Sequence, residues 1–289
     1  MAEHDYDQPF ELQTAGAVIR GTQRGQGEPV VLLHGGPGCY DYFAGSVFAQ
    51  WLAERFTVCS YDQRGCRNSP SDGPFTAAAN VDDLEALRRW IGADRLTLLG
   101  HSAGALLALH YAAAHPANVA RLVLVSPAGL DGGWRRLFDA TIRERLTDTQ
   151  RRAVAELDRR ILQMADRDER AKLYLTRFNV LLPCYVDPCH RDAAPRLAFY
   201  NREVNVRLGA SMREAARGEA WRSRLRAFRG SACIVHGQSD PIPWQVVDEM
   251  AALLPRAVIK PLSHCGHFPW LEEPQAFRAA LVAFLNAGG

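Results

Sequence analysis

The chain lacks an apolar run long enough to cross a bilayer, so a membrane-spanning helix is not expected. It opens on "MAEHDYDQPFELQ", acidic and polar, without the basic start and apolar stretch of a secretory leader. Its net charge is only +2 over 289 residues, too little to draw a polyanion, so neither nucleic acid nor a membrane surface is an expected partner. Seven cysteines are present, an odd number with no CxxC pair, which describes neither a disulfide framework nor a zinc site. The nearest pair, Cys184 and Cys189 in "CYVDPC", reads as reduced thiols, and the whole pattern points to a cytoplasmic protein. No repeat or low-complexity tract is visible. Neither G-x-x-x-x-G-K-[ST] nor G-x-G-x-x-G occurs, so a glycine-rich phosphate cradle is excluded. No metal and no cofactor are expected.

What remains is an ordinary globular composition, 47% hydrophobic and 23% charged, with enough length for a large core. Residues 9–24 read as two short strands joined at "AGA". Buried strands follow at 29–35, 56–62, 96–100, 121–129, 231–237 and 257–263. Helical patterns lie between them: around 45–55, at 80–92 with Asn80 as cap and acids in the first turn, after 102, at 244–255 and at 273–287. Such alternation predicts a mostly parallel sheet with helices on both faces. The stretch from 130 to 229 breaks it. That stretch is helical, without buried strands, and carries 22 Lys and Arg against 14 Asp and Glu, an excess of 8, while the remainder is 12 against 18. Solvated helix faces account for most of these arginines. Entering after one strand and leaving into the next, the segment is expected to lie over the strand C-terminal edge, where open α/β sheets bind ligands, as a lid. The organisation read here is a core of 1–129 with 230–289 and a cap of 130–229.

Within "LTLLGHSAGALLAL" a buried strand becomes a buried helix across Gly100-His101-Ser102-Ala103-Gly104, a G-x-S-x-G sequence. So tight a reversal drives its central residue to positive φ, and the flanking glycines relieve the crowding. Ser102 is therefore the candidate nucleophile. A serine hydroxyl needs a base, itself oriented by an acid. In this arrangement the chain order is Ser, Asp or Glu, then His. Asp240 in "IVHGQSDPIP" follows a strand, although Asp-Pro also marks ordinary turns. His264 and His267 both follow the last strand, and His267 is preferred because it lies in the loop running into the closing helix. His34 and His236 end strands and read as structural, and His101 occupies the variable position beside the serine. For a developing oxyanion the candidate donors are the Ala103 N–H and, from the loop "HGGPG", the Gly36 N–H. Epoxide and haloalkane hydrolysis require an aspartate where Ser102 stands.

With these residues in place the whole chain resembles the α/β-hydrolase fold: an eight-stranded, mostly parallel sheet with helices on both faces and a helical cap inserted after the sixth strand. "HGGPG" (34–38) and "YDQRGCRNS" (61–69) are similar to the proline iminopeptidase branch. Two departures stand beside the likeness. The branch's G-G-S-W-G-S is replaced by Gly-His-Ser-Ala-Gly, and Arg67 and Asn68 break its DQRGCGRS. The resemblance implies a serine aminopeptidase acting on a small or short-peptide substrate, with cap carboxylates gripping the substrate ammonium. It offers Glu203 in "AFYNREVNVRL" as the first of these, against a surface salt bridge, with Glu214 and Glu219 weaker candidates for a second. Arg64 and Asp62 read as a structural ion pair. An esterase or lactonase on the same triad is the alternative, and a non-catalytic small-molecule receptor the third reading.

Overall fold

A computed structural model describes residues 7–286. Residues 1–6, which carry the start of the polar opening, and residue 287, the expected end of the last helix, lie outside the described residues. Strands β1 (Gln8–Thr14) and β2 (Ala17–Arg24) form an antiparallel hairpin about Ala15 and Gly16. The next six strands run parallel to one another: β3 (Pro29–Leu33), β4 (Thr57–Tyr61), β5 (Leu96–His101), β6 (Val119–Val125), β7 (Ser231–Gly237) and β8 (Ala257–Leu262). Their spatial order is β1-β2-β4-β3-β5-β6-β7-β8. Helices α1 (Val47–Ala53), α2 (Ala77–Ile91) and α3 (Ala103–Ala114) precede β6.

Between β6 and β7 the chain leaves the sheet for α4 (Arg135–Arg145), α5 (Asp148–Gln163), α6 (Arg167–Leu181), α7 (Arg202–Arg217) and α8 (Glu219–Arg226), with no strand among the described residues there. It closes through α9 (Gln245–Leu253), the short α10 (Pro269–Glu272) and α11 (Pro274–Asn286).

Strand alternation divides the core into two layers. Val31, Leu33 and Leu98 pack with Leu84, Leu106 and Val246 of α2, α3 and α9. Val30, Leu32 and Leu99 face the other way, onto Phe48 and Leu52 of α1 and Phe277 and Leu281 of α11. The inserted helices have their own footing. Thr147 opens α5 with a capping box to Gln150, Asp166 caps α6, and Leu157, Ile161 and Leu173 form a small cluster between those two helices.

The two largest departures from the sequence reading are at the start of α2 and the end of β6, the other boundaries moving by two residues or fewer. α2 starts a turn before Asn80, because Thr76 Oγ1 accepts the Ala79 N–H at 3.2 Å and caps the helix. Asn80 is buried inside, its amide donating to Thr76 O, and no acid lies in the first turn. β6 ends at Val125 rather than 129, since Ser126 turns away at φ +45°. All seven cysteines are free, Cys184 buried and Cys189 exposed. No helix among the described residues is long and apolar enough to cross a membrane.

Candidate active site

Ser102 is the single residue between β5 and α3, at φ +55° and ψ −116°. That backbone costs a non-glycine residue about 1–3 kcal/mol and persists only where its surroundings enforce it. Here Ser102 N–H donates to Val125 O at 2.9 Å, and Ser102 O accepts from Ala105 and Ala128 N–H, both at 3.1 Å. The flanking glycines answer a steric demand. A Cβ on Gly100 would lie 2.3 Å from Gly104 O, and one on Gly104 would lie 2.1 Å from Leu33 O.

The C-terminal ends of β7 and β8 bring the acid and a histidine together. Asp240 is buried, with Oδ1 accepting from Ile242 N–H and Oδ2 from His267 Nδ1, both at 2.8 Å. Because the carboxylate accepts, Nδ1 carries the proton and Nε2 keeps its lone pair. Burial pushes the Asp240 carboxyl upward, but His267, His236 and the Ile242 amide outweigh burial and hold it below its ordinary value. His264 stands exposed on the preceding turn at φ +53°. His236 lies behind the acid, its Nε2–H donating to Ile242 O at 3.0 Å and its Nδ1 3.8 Å from Asp240 Oδ2.

The loop carrying His267 is clamped by a residue that the sequence reading did not single out. The buried carboxylate of Glu272 accepts the N–H groups of Gly266 at 2.6 Å, Asp187 at 2.7 Å and Phe268 at 2.8 Å. In sequence it sits in "WLEEP" and looks like a surface helix acid. His101 is likewise more than a filler beside Ser102. Gly35 N–H donates to Tyr42 Oη at 2.6 Å, Tyr42 Oη donates to His101 Nδ1, and His101 Nε2–H donates to His267 O at 2.8 Å. One chain of hydrogen bonds thus joins the glycine loop, the serine turn and the histidine loop. Burial, with the neighbouring His267, holds His101 well below its ordinary pKa, so it stays neutral and can play both parts.

The glycine loop is pinned from both sides. His34 Nε2 accepts from Gln63 N–H at 3.1 Å, and Gln63 Nε2 donates back to His34 O at 2.8 Å. From the insertion, Asn205 Nδ2 donates to Gly36 O at 3.1 Å and Pro37 O at 2.9 Å, and Asn201 N–H to Gly38 O at 2.6 Å. Gly36 has φ +123°, where a Cβ would meet Cys39 N at 2.8 Å. The expected Arg64–Asp62 pair is not made. Arg64 instead grips Asp83 of α2 in a buried fork at 2.6 and 2.7 Å, while Asp62 accepts the N–H groups of Asp41 and Asn68.

Ser102, His267, Gly36 and Ala103 line one cavity of about 730 Å³, walled largely by the inserted helices. Glu203 does not line it. Its half-exposed carboxylate is engaged by Arg167 and by Arg207 at 3.2 Å. Glu214 and Glu219 are similarly taken by Arg217 and Arg226 on the surface. Among the described residues one trio has metal-ligating side chains grouped, Asp187, Cys189 and His190, away from this cavity. Asp187 there already accepts from Cys189 and Ser239.

The chain resembles known proteins along nearly its full length. It is 29% identical over 272 residues to a proline iminopeptidase of Lactobacillus delbrueckii subsp. bulgaricus, covering 89% of each chain. It is 28% identical over 272 residues to a provisionally named carbamate hydrolase of Caulobacter vibrioides, covering 90% of this chain and 91% of the relative. The crystal structure of a proline iminopeptidase from Mycobacterium smegmatis superposes with a TM-score of 0.66 at 21% identity, over 97% of this chain and 98% of that one, and shares the fold. The family described as "alpha/beta hydrolase fold" matches residues 28–274, which with this strand order makes the chain a member of the α/β-hydrolase family, on its proline iminopeptidase-like branch.

Proposed function

We propose that the protein is a serine hydrolase that cleaves a small ester or amide through an acyl-enzyme beneath the inserted helices. The observation that carries this reading is the strained Ser102 turn opening on the same cavity as a His267 whose Nδ1 is held by Asp240 at 2.8 Å. His267 Nε2 takes the hydroxyl proton as Ser102 Oγ bonds to the substrate carbonyl carbon. The Gly36 and Ala103 amides receive the oxyanion. Collapse breaks the bond to the leaving group, which departs with the proton from His267. Water then attacks the ester carbon while His267 takes its proton, and that proton returns to Ser102 Oγ as the acid is released. Asp240 keeps the imidazole in the required tautomer and stabilises its charged form.

Two substrate readings share this machinery. An aminopeptidase is supported by the HGGPG and DQRG loops and by the proline iminopeptidase relatives. An esterase or lactonase is favoured by charge: Glu203 is engaged elsewhere, and the cavity wall carries more arginines than acids.

The test is labelling by a fluorophosphonate probe, with turnover of amino-acyl arylamides, including proline, beside acyl esters and lactones. The adduct is expected on Ser102. Ser102→Ala is expected to stay folded and lose roughly three decades or more in rate, and Asp240→Asn to be crippled as well. A folded Ser102→Ala protein with near wild-type turnover sinks the reading.

A further inference from the structure

The cavity wall presents positive charge, and one half-buried cation there has no ion pair or side-chain hydrogen bond among the described residues. Five arginines and two aspartates contribute to the lining, and no glutamate does. Arg177 pairs with Asp158 at 2.5 Å, and Arg202 and Arg135 lie over the rings of Tyr174 and Trp134 at 5.5 and 5.2 Å. Arg143 makes no ion pair among the described residues, but it is exposed. Arg213 of α7 is half-buried and, among the described residues, has neither a side-chain hydrogen bond nor an ion pair. Asp139, the other acid of the wall, is exposed on α4 and makes no ion pair among the described residues.

The seat of Arg213 is specific. Its guanidinium lies back along its own helix over Gly209, where an added Cβ would approach Nη1 to 3.1 Å. Any larger side chain at 209 would displace it. Met212, the preceding residue, is anchored by the His110 Nε2–H donating to its carbonyl at 3.1 Å, which fixes this turn of α7 against α3. Burial, and then the like charges of Arg135 and Arg217, press the Arg213 guanidinium below its ordinary value. Arg135, exposed on α4, lines the same cavity, and a planar fork with free donors suits a carboxylate bidentately. Leu106, Phe138, Ile142 and Met212 add apolar wall for a short hydrocarbon.

We propose that Arg213, with Arg135 beside it, forms a carboxylate-binding subsite, and that the substrate is an ester or amide of a small dicarboxylic acid whose free carboxylate docks there while its other carbonyl lies at Ser102. The acyl group remains bound through both acylation and deacylation, so a contact to it acts on both steps. This assignment rests on the serine-hydrolase reading for its chemistry, though not for its anion site.

The test pairs p-nitrophenyl hemiglutarate with the neutral p-nitrophenyl ester of monomethyl glutarate, and measures glutarate binding by calorimetry on the full chain. The wild-type protein is expected to favour the anionic ester by about tenfold or more in kcat/KM, and Arg213→Met to reduce that ratio by about 10- to 100-fold, the range for losing one partner of a charge pair that is partly desolvated. Arg213→Lys should restore part of the ratio, and Arg135→Met should erode it as a second, independent variant. Glutarate should bind the wild-type protein and Ser102→Ala alike, and Arg213→Met at least about tenfold more weakly. Equal use of both esters, preference for an amino-acyl substrate, or glutarate binding indifferent to Arg213 overturns the subsite. If Ser102→Ala still hydrolyses the esters while glutarate binding depends on Arg213, the serine reading falls and the anion site stands.

Discussion

The sheet and the inserted helices hold their charges in opposite ways. In the sheet half, Arg64 and Asp83 form a fork whose side chains are 1% and 2% exposed, and Asp240 and Glu272 are buried with several donors each. In the insertion, pairs such as Arg159–Glu156 and Lys172–Glu169 have side chains more than half exposed. Exposed pairs contribute about 0–1 kcal/mol, whereas removing one partner of a buried pair costs several. The carboxylates at the strand ends are therefore tightly held, each by buried donors, although Ser126 Oγ and His236 Nδ1 beside them make no hydrogen bond. α7 and α8 join the main core through Val204, Leu208, Met212 and Leu225, whereas α4, α5 and α6 are held by weak pairs and small apolar clusters, so that part of the wall can change composition without unfolding the core. On the proposed reading, chemistry belongs to the first region and selectivity to the second.

The sharpest way to break this comparison is at Glu272. Gln keeps one oxygen for the loop amides but turns an NH2 group on the remaining N–H, leaving a buried donor unsatisfied. Glu272→Gln should lower stability by about 2–4 kcal/mol. It should also lower kcat by about 100-fold with little change in KM, because His267 moves relative to Ser102. Thermal unfolding and steady-state kinetics check both. A lower Tm with unchanged kcat would make the clamp purely structural, and an unchanged Tm would remove the contrast between the two regions.

How far the site was readable in the sequence follows the same division. The Gly100-x-Ser102-x-Gly104 spacing is legible because a close backbone approach permits almost no other side chain. Asp240 and His267 are legible because each follows a strand whose pattern is plain. Glu272 and Tyr42 were hidden, since their roles depend on which loops meet in space, not on local pattern. Arg64 finds Asp83 across 19 residues rather than its near neighbour, a choice made by helix packing. Glu203 lies on an amphipathic helix with charge on several faces, and periodicity does not say which face meets the cavity. The start of α2 was missed because "AAA" carries no apolar periodicity while Thr76 supplies the cap.

A second test sits at the seam between the regions. His110 of α3 is buried against α7, and burial lowers its pKa to about 4 from an ordinary 6.5. The unfolded chain binds this proton more readily than the folded one. Its contribution is therefore complete above about pH 6.5 and is lost as pH falls through 4. A shift of this size corresponds to about 3 kcal/mol. His34, His101 and His236 are shifted in the same direction, so the readout is a difference between proteins. Between pH 7 and pH 4, wild type should lose about 3 kcal/mol more stability than His110→Gln, measured by urea unfolding. Parallel acid profiles would mean that the seam does not sense this proton.

The smallest expected effect is at Gly209, where stability and selectivity should part. Glycine inside α7 costs about 1 kcal/mol relative to alanine, so Gly209→Ala should stabilise the helix by up to that amount. Apart from the helix's own backbone, the three atoms nearest the new methyl group all belong to Arg213, at 3.1 and 3.9 Å. The end of a long arginine can yield by a few tenths of an ångström, so no large strain should offset the gain. What must give is the position of the guanidinium. Gly209→Ala should therefore raise Tm slightly while lowering the preference for the anionic over the neutral ester by a few-fold, about 1 kcal/mol or less in free energy. The strand-end residues do not touch position 209, so a fall in both esters alike would show that the two regions are coupled more tightly than their charge patterns imply. A rise in Tm with unchanged preference would show that Arg213 tolerates the shift, and that the empty position on α7 serves helix packing rather than the cavity wall.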